Sequence, residues 1–303
     1  METKQIKIFY TLGKNPVLSE ALAILNCSKE ELQTEVAILE NELGTRLFHR
    51  DDIRWGLNTY GHSFFKSARS ILGEMEGIRS TLLEKNKSLP EGPLKISTTQ
   101  ALASLWLPNF VAGFHKRYPK ITLEIFSDDR PVDLASGGYD VALRTLMPVS
   151  PELVQHYMMT FHVGLYASPK YTNQFGVPTC IDDMDKHAFL AIDYKGNAPY
   201  RDADWFLTLG KKSRDLPRVP IFKATSPDAY LKAALDGAGI VSVSEELDYV
   251  REGRLVRILA EVKGPEVPIY YICESFLNDS ARVVVFKEYL QECVQKQMHF
   301  MVS

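Results

Sequence analysis

The stretch "SKEELQTEVAILENELGTRLFHR", residues 28–50, concentrates side chains that could read another polymer. Glu30 can accept a hydrogen bond from cytosine N4, Gln33 can engage adenine through both amide atoms, and Thr34 offers a hydroxyl. Lys29, Arg46, Arg50 and Arg54 are the nearby cations able to meet phosphates. A second group, Ser97-Thr98-Thr99-Gln100, follows a strand pattern and opens a helix; its hydroxyls and backbone N–H groups suit an anionic or polar small molecule. Ser127, Arg144 with Thr145, and Thr225 with Ser226 lie at comparable strand ends and helix starts. For each hydroxyl the plainer reading is N-capping, and for Arg144 an ion pair with Asp140 or another acid. Catalysis finds little support. The seven histidines are dispersed, His49, His115 and His162 among them, with no H-E-x-x-H, G-x-S-x-G or P-loop. The four cysteines show no ligand spacing, so neither metal nor cofactor is expected and reduced thiols of a cytoplasmic protein are. A hydrolase is the weakest hypothesis, and the chain reads as no enzyme.

The elements that would hold these residues fall into three regions. Residues 1–58 are short helical segments. Ile6, Phe9 and Tyr10, then Leu18, Leu22 and Leu25, recur at helical spacing. Asn26 and Cys27 break the pattern. Ser28-x-x-Glu31 then reads as a capping box, Leu32, Val36, Leu39 and Leu43 as one apolar stripe, and Gly44 as the C-cap. Helix, short turn, helix is the spacing of a helix-turn-helix. Asp51-Asp52 reads as the tight turn of a β-wing, in which Arg54 and Trp55 are the better candidates for DNA-backbone contact. Residues 59–87 read as one long helix. Phe64, Ala68, Ile71, Met75, Ile78 and Leu82 step by four and three, a heptad seam that points to dimerisation, with packing on its own domain as the alternative. Gly73 and Gly77 in it suggest close approach of a partner helix or a kink.

The stretch "NKSLPEGP", 86–93, reads as a linker. Beyond it "LKIST", "ITLEIFS", "YDVALR", "HVGLYAS", "PIFKATS", "GIVSVS" and "IYYIC" are strand candidates alternating with helical stretches, the pattern of an α/β sheet. The elements themselves give a helix-turn-helix with a β-wing and a long helix joined to an α/β sheet domain. The chain of 303 residues, 45% hydrophobic and 24% charged, suits two or three globular domains. Its longest uncharged apolar stretch, 101–114, is too short to cross a bilayer, where roughly 20 residues are needed. No apolar segment of a secretory signal follows Lys4 and Lys7. Net charge is −3, and residues 1–60 hold seven Lys/Arg against nine Asp/Glu, so bulk electrostatics do not favour nucleic acid.

Leu39-Glu40-x-Glu42-Leu43-Gly44-x-x-Leu47-Phe48-x-Arg50 followed by Leu57-x-x-x-Gly61 resembles the "LExELGxxLFxR…LTxxG" signature of the LysR-type transcriptional regulators. Gly92-x-Leu94-x-Ile96, Leu107-Pro108, Phe114-x-x-x-Tyr118-Pro119, Tyr139-Asp140-Val141-Ala142-Leu143-Arg144 and Ala234-x-x-Gly237-x-Gly239-Ile240 fit the same family, in order and along essentially the whole chain. The resemblance implies a winged helix-turn-helix DNA-binding domain at 1–58, a dimerisation helix at 59–87 and a two-lobed α/β effector-binding domain at 88–303. In the last, one lobe would comprise 92–163 and 267–303 and the other 164–266, as in a periplasmic binding protein. It implies a homodimer or homotetramer on promoter DNA, a small-molecule effector between the lobes at the Ser97–Gln100 position, RNA polymerase as a candidate contact, and no membrane.

The departures lie in the second helix. Where the family has proline or serine, a small residue, serine, a basic residue and glutamine, this chain has Glu30, Glu31, Gln33, Thr34 and Glu35; Asn58 replaces a threonine. At about 100° per residue, the face opposite Leu32, Val36 and Leu39 carries Glu30, Thr34, Ala37 and Asn41, with no Lys or Arg at its centre. Glu31 has a plain reading as part of the capping box, and Glu35 as a solvated or ion-paired neighbour of the core. Arg50 has one as the partner of Glu40 or Glu42. The expected reading is a DNA-binding domain of low non-specific affinity with an unusual operator. The alternative is a dimeric small-molecule sensor whose acidic helix-turn-helix meets a protein partner.

Overall fold

The computed structural model describes residues 1–84, 90–134, 138–145, 150–210 and 217–302. Residues 86–89 of the expected linker, and 85–87 at the end of the expected long helix, lie outside the described residues. The N-terminal unit is α1 (Thr3–Lys14), α2 (Leu18–Leu25), α3 (Lys29–Leu43), β1 (Phe48–Arg50) and β2 (Trp55–Leu57). Asn26 ends α2 in the left-handed region at φ 48°, and Ser28 opens α3 by accepting the Glu31 N–H at 3.1 Å. Gly44 closes it at φ 67°, a conformation that costs glycine little. The core collects Phe9, Leu12, Leu32, Val36, Leu39, Phe48 and Trp55. Two expectations change here. Leu43 is 39% exposed, and the position that continues the buried stripe is Glu40, whose carboxylate accepts the Leu47 N–H at 2.7 Å and pairs with Arg50. Trp55 is buried beneath Arg50, whose guanidinium stacks 4.3 Å above its ring, so it cannot touch a DNA backbone. The wing itself is an antiparallel pair closed by Asp51 Oδ1, which accepts the Ile53 and Arg54 N–H groups.

Helix α4 (Thr59–Glu84) starts on Asn58, which accepts the Gly61 N–H at 2.8 Å and donates to Arg46 O. Asn58 thus performs the cap that a threonine would. The heptad seam divides in two. Ala68 is fully buried, and Phe64 and Ile71 pack against the N-terminal core, with Phe64 4.8 Å from the Phe9 ring. Met75 is 43% and Ile78 63% exposed, and the side chain of Leu82 lies outside those described. Gly73 marks a close approach, but by the same chain: a Cβ there would sit 2.2 Å from the Phe276 ring. One turn earlier Arg69, 4% exposed, pairs with Glu274 at 2.9 Å and donates to the carbonyls of Leu134 and Tyr139. The long helix is therefore bolted to the C-terminal domain.

That domain is built on seven strands, β3 (Gly92–Thr98), β4 (Ile121–Ser127), β5 (Val141–Arg144), β6 (Leu153–Ala167), β9 (Val241–Ser244), β10 (Val256–Ile258) and β11 (Glu266–Glu274). They form one sheet in the order β10-β6-β11-β5-β3-β4, with β9 also paired to β6. A short parallel pair, β7 (Leu190–Ile192) and β8 (Phe222–Ala224), is joined to the start of β9 through a bridge between Phe189 and Ile240. Strand β3 runs parallel to both neighbours, the crossover to β4 passing through α5 (Gln100–Leu105) and α6 (Pro108–Arg117). Strand β6 is 15 residues long: positions 153–162 pair with β11, and 163–167 with β9 and β10. One strand thus belongs to both lobes. The first lobe's core gathers Leu94, Ile96, Trp106, Phe114 and Tyr271 under the C-terminal helix α11 (Ala281–Val302). The second lobe adds α7 (Pro169–Phe175), α8 (Trp205–Thr208), α9 (Pro227–Leu235) and α10 (Asp248–Arg251) around Leu165, Tyr171 and Phe206 on one side and Tyr230, Leu231 and Val243 on the other. The first half of β6, β7 and β10 were not among the expected strands: the last two span three residues each, too few for an alternation to show.

Candidate functional site

Helix α3 carries five carboxylates, and four of them have a cation. Lys4 of α1 reaches Glu31 at 2.8 Å and Glu35 at 2.9 Å. The N-terminal amine meets Glu42 at 2.5 Å, and Arg50 meets Glu40. Glu31 therefore turns to Lys4, leaving only the Ser28 half of the expected capping box. Glu30 alone has no cationic partner among the described residues. Its own backbone N–H, then the Ser28 hydroxyl, hold its carboxyl below the ordinary 4.5, so it is ionised at neutral pH. Glu30, Gln33, Thr34 and Asn41 are exposed along one side, although the Thr34 hydroxyl is donated to Glu30 O at 2.8 Å. Lys29, Arg46 and Arg54 are exposed and form no ion pair among the described residues. Arg50, which sequence offered as a phosphate contact, is instead occupied by Glu40 and Trp55.

Between the lobes two chambers adjoin. The outer one, about 630 Å³, is lined by Thr99, Asp129, Arg144, Thr145, Asn197 and Glu274, with Lys66 of α4 at its edge. The inner one, about 110 Å³, lies among Trp106, Phe161, Tyr194, Tyr200, Tyr230 and Ile269. Thr99, Thr145 and Pro199 border both, and Thr145 Oγ1 donates to Pro199 O at 2.9 Å, tying the first lobe to the second. Burial pushes the Tyr194 and Tyr230 hydroxyls up, and that of Tyr200 up to about 12, so the inner chamber presents neutral phenols. The Trp106 Nε1–H is buried without a partner among the described residues.

Of the residues sequence proposed for this cleft, Thr99, Arg144 and Thr145 meet here. Thr99 also N-caps α5. Ser97 is 2% exposed and accepts from Arg144, while Thr98 is fully buried and donates to Leu143 O at 2.9 Å; neither lines a chamber. The Gln100 N–H, which was to face an anion, is taken by Asp129 Oδ1 at 3.1 Å. Arg144 is not paired with Asp140, which instead accepts the Lys95 N–H. The Arg144 guanidinium binds Ser97 Oγ and the carbonyls of Thr98, Asp128 and Arg130, fastening the ends of β3 and β4, and its Nε has no partner among the described residues. Ser127, Thr225 and Ser226 are exposed away from both chambers, and Ser226 caps α9, the plainer of its two readings. Sequence reasoning missed Trp106 and the tyrosines. The one signal was "DYKGNAPY", 193–200, a Gly/Asn/Pro loop after a short strand that carries two of them.

The one trio of His, Cys, Asp or Glu among the described residues with ligand atoms within 4.8 Å is His162, Glu245 and Glu246. Glu246, 5% exposed, is already engaged by the His162 N–H, by His162 Nδ1 at 2.6 Å and by Ser244 Oγ. No helix is long and apolar enough to cross a membrane among the described residues.

Comparison with known proteins agrees with this architecture. Residues 87–295 match the LysR substrate binding domain. An HTH-type transcriptional regulator of Xanthomonas campestris pv. campestris (strain 8004) is 29% identical over 268 residues, 88% of this chain and 78% of that protein. The HTH-type transcriptional regulator CrgA of Neisseria meningitidis serogroup B is 25% identical over 293 residues, 96% of each chain. The solved structure of CrgA, a LysR-type transcriptional regulator, superposes with TM-score 0.59 at 24% identity, over 97% of this chain and 99% of that one. A full-length OxyR variant from Pseudomonas aeruginosa shares the fold, with TM-score 0.70 at 15% identity, over 96% and 95%. A winged N-terminal unit, a long helix, a two-lobed sheet domain and a substrate-binding match over most of the chain place this protein in the LysR family of transcriptional regulators.

Proposed function

We propose that the chain is a ligand-responsive regulator that binds promoter DNA through α3 and the wing and senses a small molecule between its lobes. The observation that carries the DNA half is the charge pairing of α3. Negative residues in a DNA-facing helix oppose phosphates, but four of the five here are matched by Lys4, Arg50 and the N-terminal amine on the protein itself. What faces outward is one acceptor carboxylate at Glu30, the Gln33 and Asn41 amides, and Lys29, Arg46 and Arg54, which form no ion pair among the described residues. This inventory suits reading of base edges with few phosphate contacts. The cleft supports the sensing half, since two adjoining chambers with buried polar atoms lacking partners are a small-molecule setting. The protein would act in the cytoplasm as a homodimer or homotetramer, with RNA polymerase as a further contact at the promoter.

The test is selection from a random DNA pool by purified protein at about 50 mM salt, followed by titration of the winner against salt. A two-fold symmetric motif with a shallow salt slope is expected. Absence of enrichment, with and without a metabolite mixture, would sink the DNA reading in favour of a protein partner for α3.

A further inference from the structure

Away from the cleft, a crevice of about 410 Å³ opens where α1, the long helix α4 and the first lobe meet. Its charged lining is Lys7 and Lys14 of α1, Arg69 of α4, Lys95 of β3 and Arg282 of α11, with Asp140 the one acid among them. Two of these cations are matched by acids outside the crevice, Arg69 by Glu274 at 2.9 Å and Lys95 by Glu124 at 3.4 Å. Asp140 Oδ2 already accepts the Lys95 N–H at 2.8 Å. Lys7, Lys14 and Arg282 form no ion pair among the described residues; Arg282 donates to Pro93 O at 2.8 Å. Three unmatched cations thus stand against one carboxylate. Lys14 is the most constrained. Its stem crosses from α1 to the first lobe, where a Cβ on Gly138 would come 3.2 Å from Lys14 Cε, and its Nζ lies 5.7 Å from the Tyr10 ring centroid. Burial, then the like charge of Lys95, bring its amine down from 10.5 to about 8, against a smaller upward pull from Asp140. An anion beside a half-buried ammonium of this kind would offset both effects.

We propose that this crevice binds a small molecule with a compact double negative charge, a phosphate ester or a dicarboxylate, between Lys7 and Lys14 on one side and Arg282 on the other. The site is separate from the cleft between the lobes. An anion there bridges two parts of the chain: α1 belongs to the N-terminal unit, whereas α11 covers the core of the first lobe. Occupancy therefore holds the N-terminal unit against the effector domain, alongside the Arg69 pair. The coupling is reciprocal, so whatever draws α1 away from the first lobe weakens the anion.

The experiment is calorimetric titration of the full-length protein, at constant ionic strength, with phosphate, succinate and acetate, together with hydrogen exchange of the segment 7–14. Phosphate, succinate or both are expected to bind at least about tenfold more tightly than acetate. Phosphate alone would identify a phosphate ester, succinate alone a dicarboxylate, and both a site that selects on charge. Lys14→Met, which removes a desolvated charge, is expected to weaken the binding at least about tenfold. Lys7→Gln, at an exposed position, should weaken it several-fold, and it decides the matter if Lys14→Met does not fold. Exchange in 7–14 should fall on binding. The inference is overturned if neither dianion binds at up to about 10 mM, or if acetate binds as well. It is equally overturned if the folded variants keep the full affinity, or if a bound dianion leaves exchange in 7–14 unchanged. Selection of DNA by the same protein is read separately, so either reading can fail without the other.

Discussion

Glu30 and Gln33 stand on the exposed side of α3 while Arg54 stands in the wing, and the two positions should fail differently when truncated. Glu30→Ala and Gln33→Ala are expected to relax preference at one operator position each, by about 1–3 kcal/mol, as a lost base contact does. Arg54→Ala should weaken all sequences alike and shrink the salt slope by about one. Anisotropy titrations on matched and mutated operators separate these outcomes, and identical effects from all three would refute the docking. Distant from DNA, His162 gives a second residue-scale expectation. Its bond to Glu246 raises the imidazole above its ordinary 6.5, against a smaller opposing effect of burial. The raised folded-state value means the contribution is whole below about pH 6.5 and is lost as pH rises through the folded-state value. Urea midpoints measured from pH 5.5 to 8.5 should show this decline in the native protein, and Glu246→Gln should flatten it. At this scale the sequence was half legible. The rewritten residues of α3 could be named, but that Lys4 crosses from another helix to neutralise two of them depends on tertiary placement that no local pattern encodes.

Among elements, periodicity located α3, α4, β3 and β4 because each is long enough for its pattern to repeat. It failed for β7 and β10, and it made too much of α4. A heptad repeat says which residues share a face, not what covers that face. Ala68 and Ile71 turned out to complete their own domain's core, leaving Met75 and Ile78 uncovered. If those exposed positions are the dimer contact, Met75→Glu with Ile78→Glu should shift sedimentation toward the monomer while leaving the circular dichroism spectrum unchanged. An unaltered oligomer would move the contact elsewhere. The cleft was legible only at its edges for a related reason. Thr99 and Thr145 follow strands, where sites are sought, whereas Trp106 and Tyr230 come from helix and core positions whose aromatic character reads as packing.

Across the whole molecule, the contacts of Arg69 set how the N-terminal and C-terminal parts are joined. Removing one partner of a buried pair leaves an uncompensated charge, so Glu274→Ala should cost about 3–5 kcal/mol in urea unfolding. The double replacement Arg69→Met with Glu274→Leu should cost much less, because nothing charged is then left buried. A surface-like loss below about 1 kcal/mol for the single variant would show that the helix is not fastened there. Strand β6 has a different kind of consequence. Its backbone is hydrogen-bonded along 153–162 in one lobe and along 163–167 in the other. Neither lobe can melt without stripping half the ladder from a strand its neighbour needs. The effector domain should therefore give a single calorimetric transition whose van't Hoff and calorimetric enthalpies agree, rather than the two peaks that lobes joined by flexible crossings would give. Thermodynamically, two lobes that look separable would then be one cooperative unit, sharing a melting temperature as they share a strand.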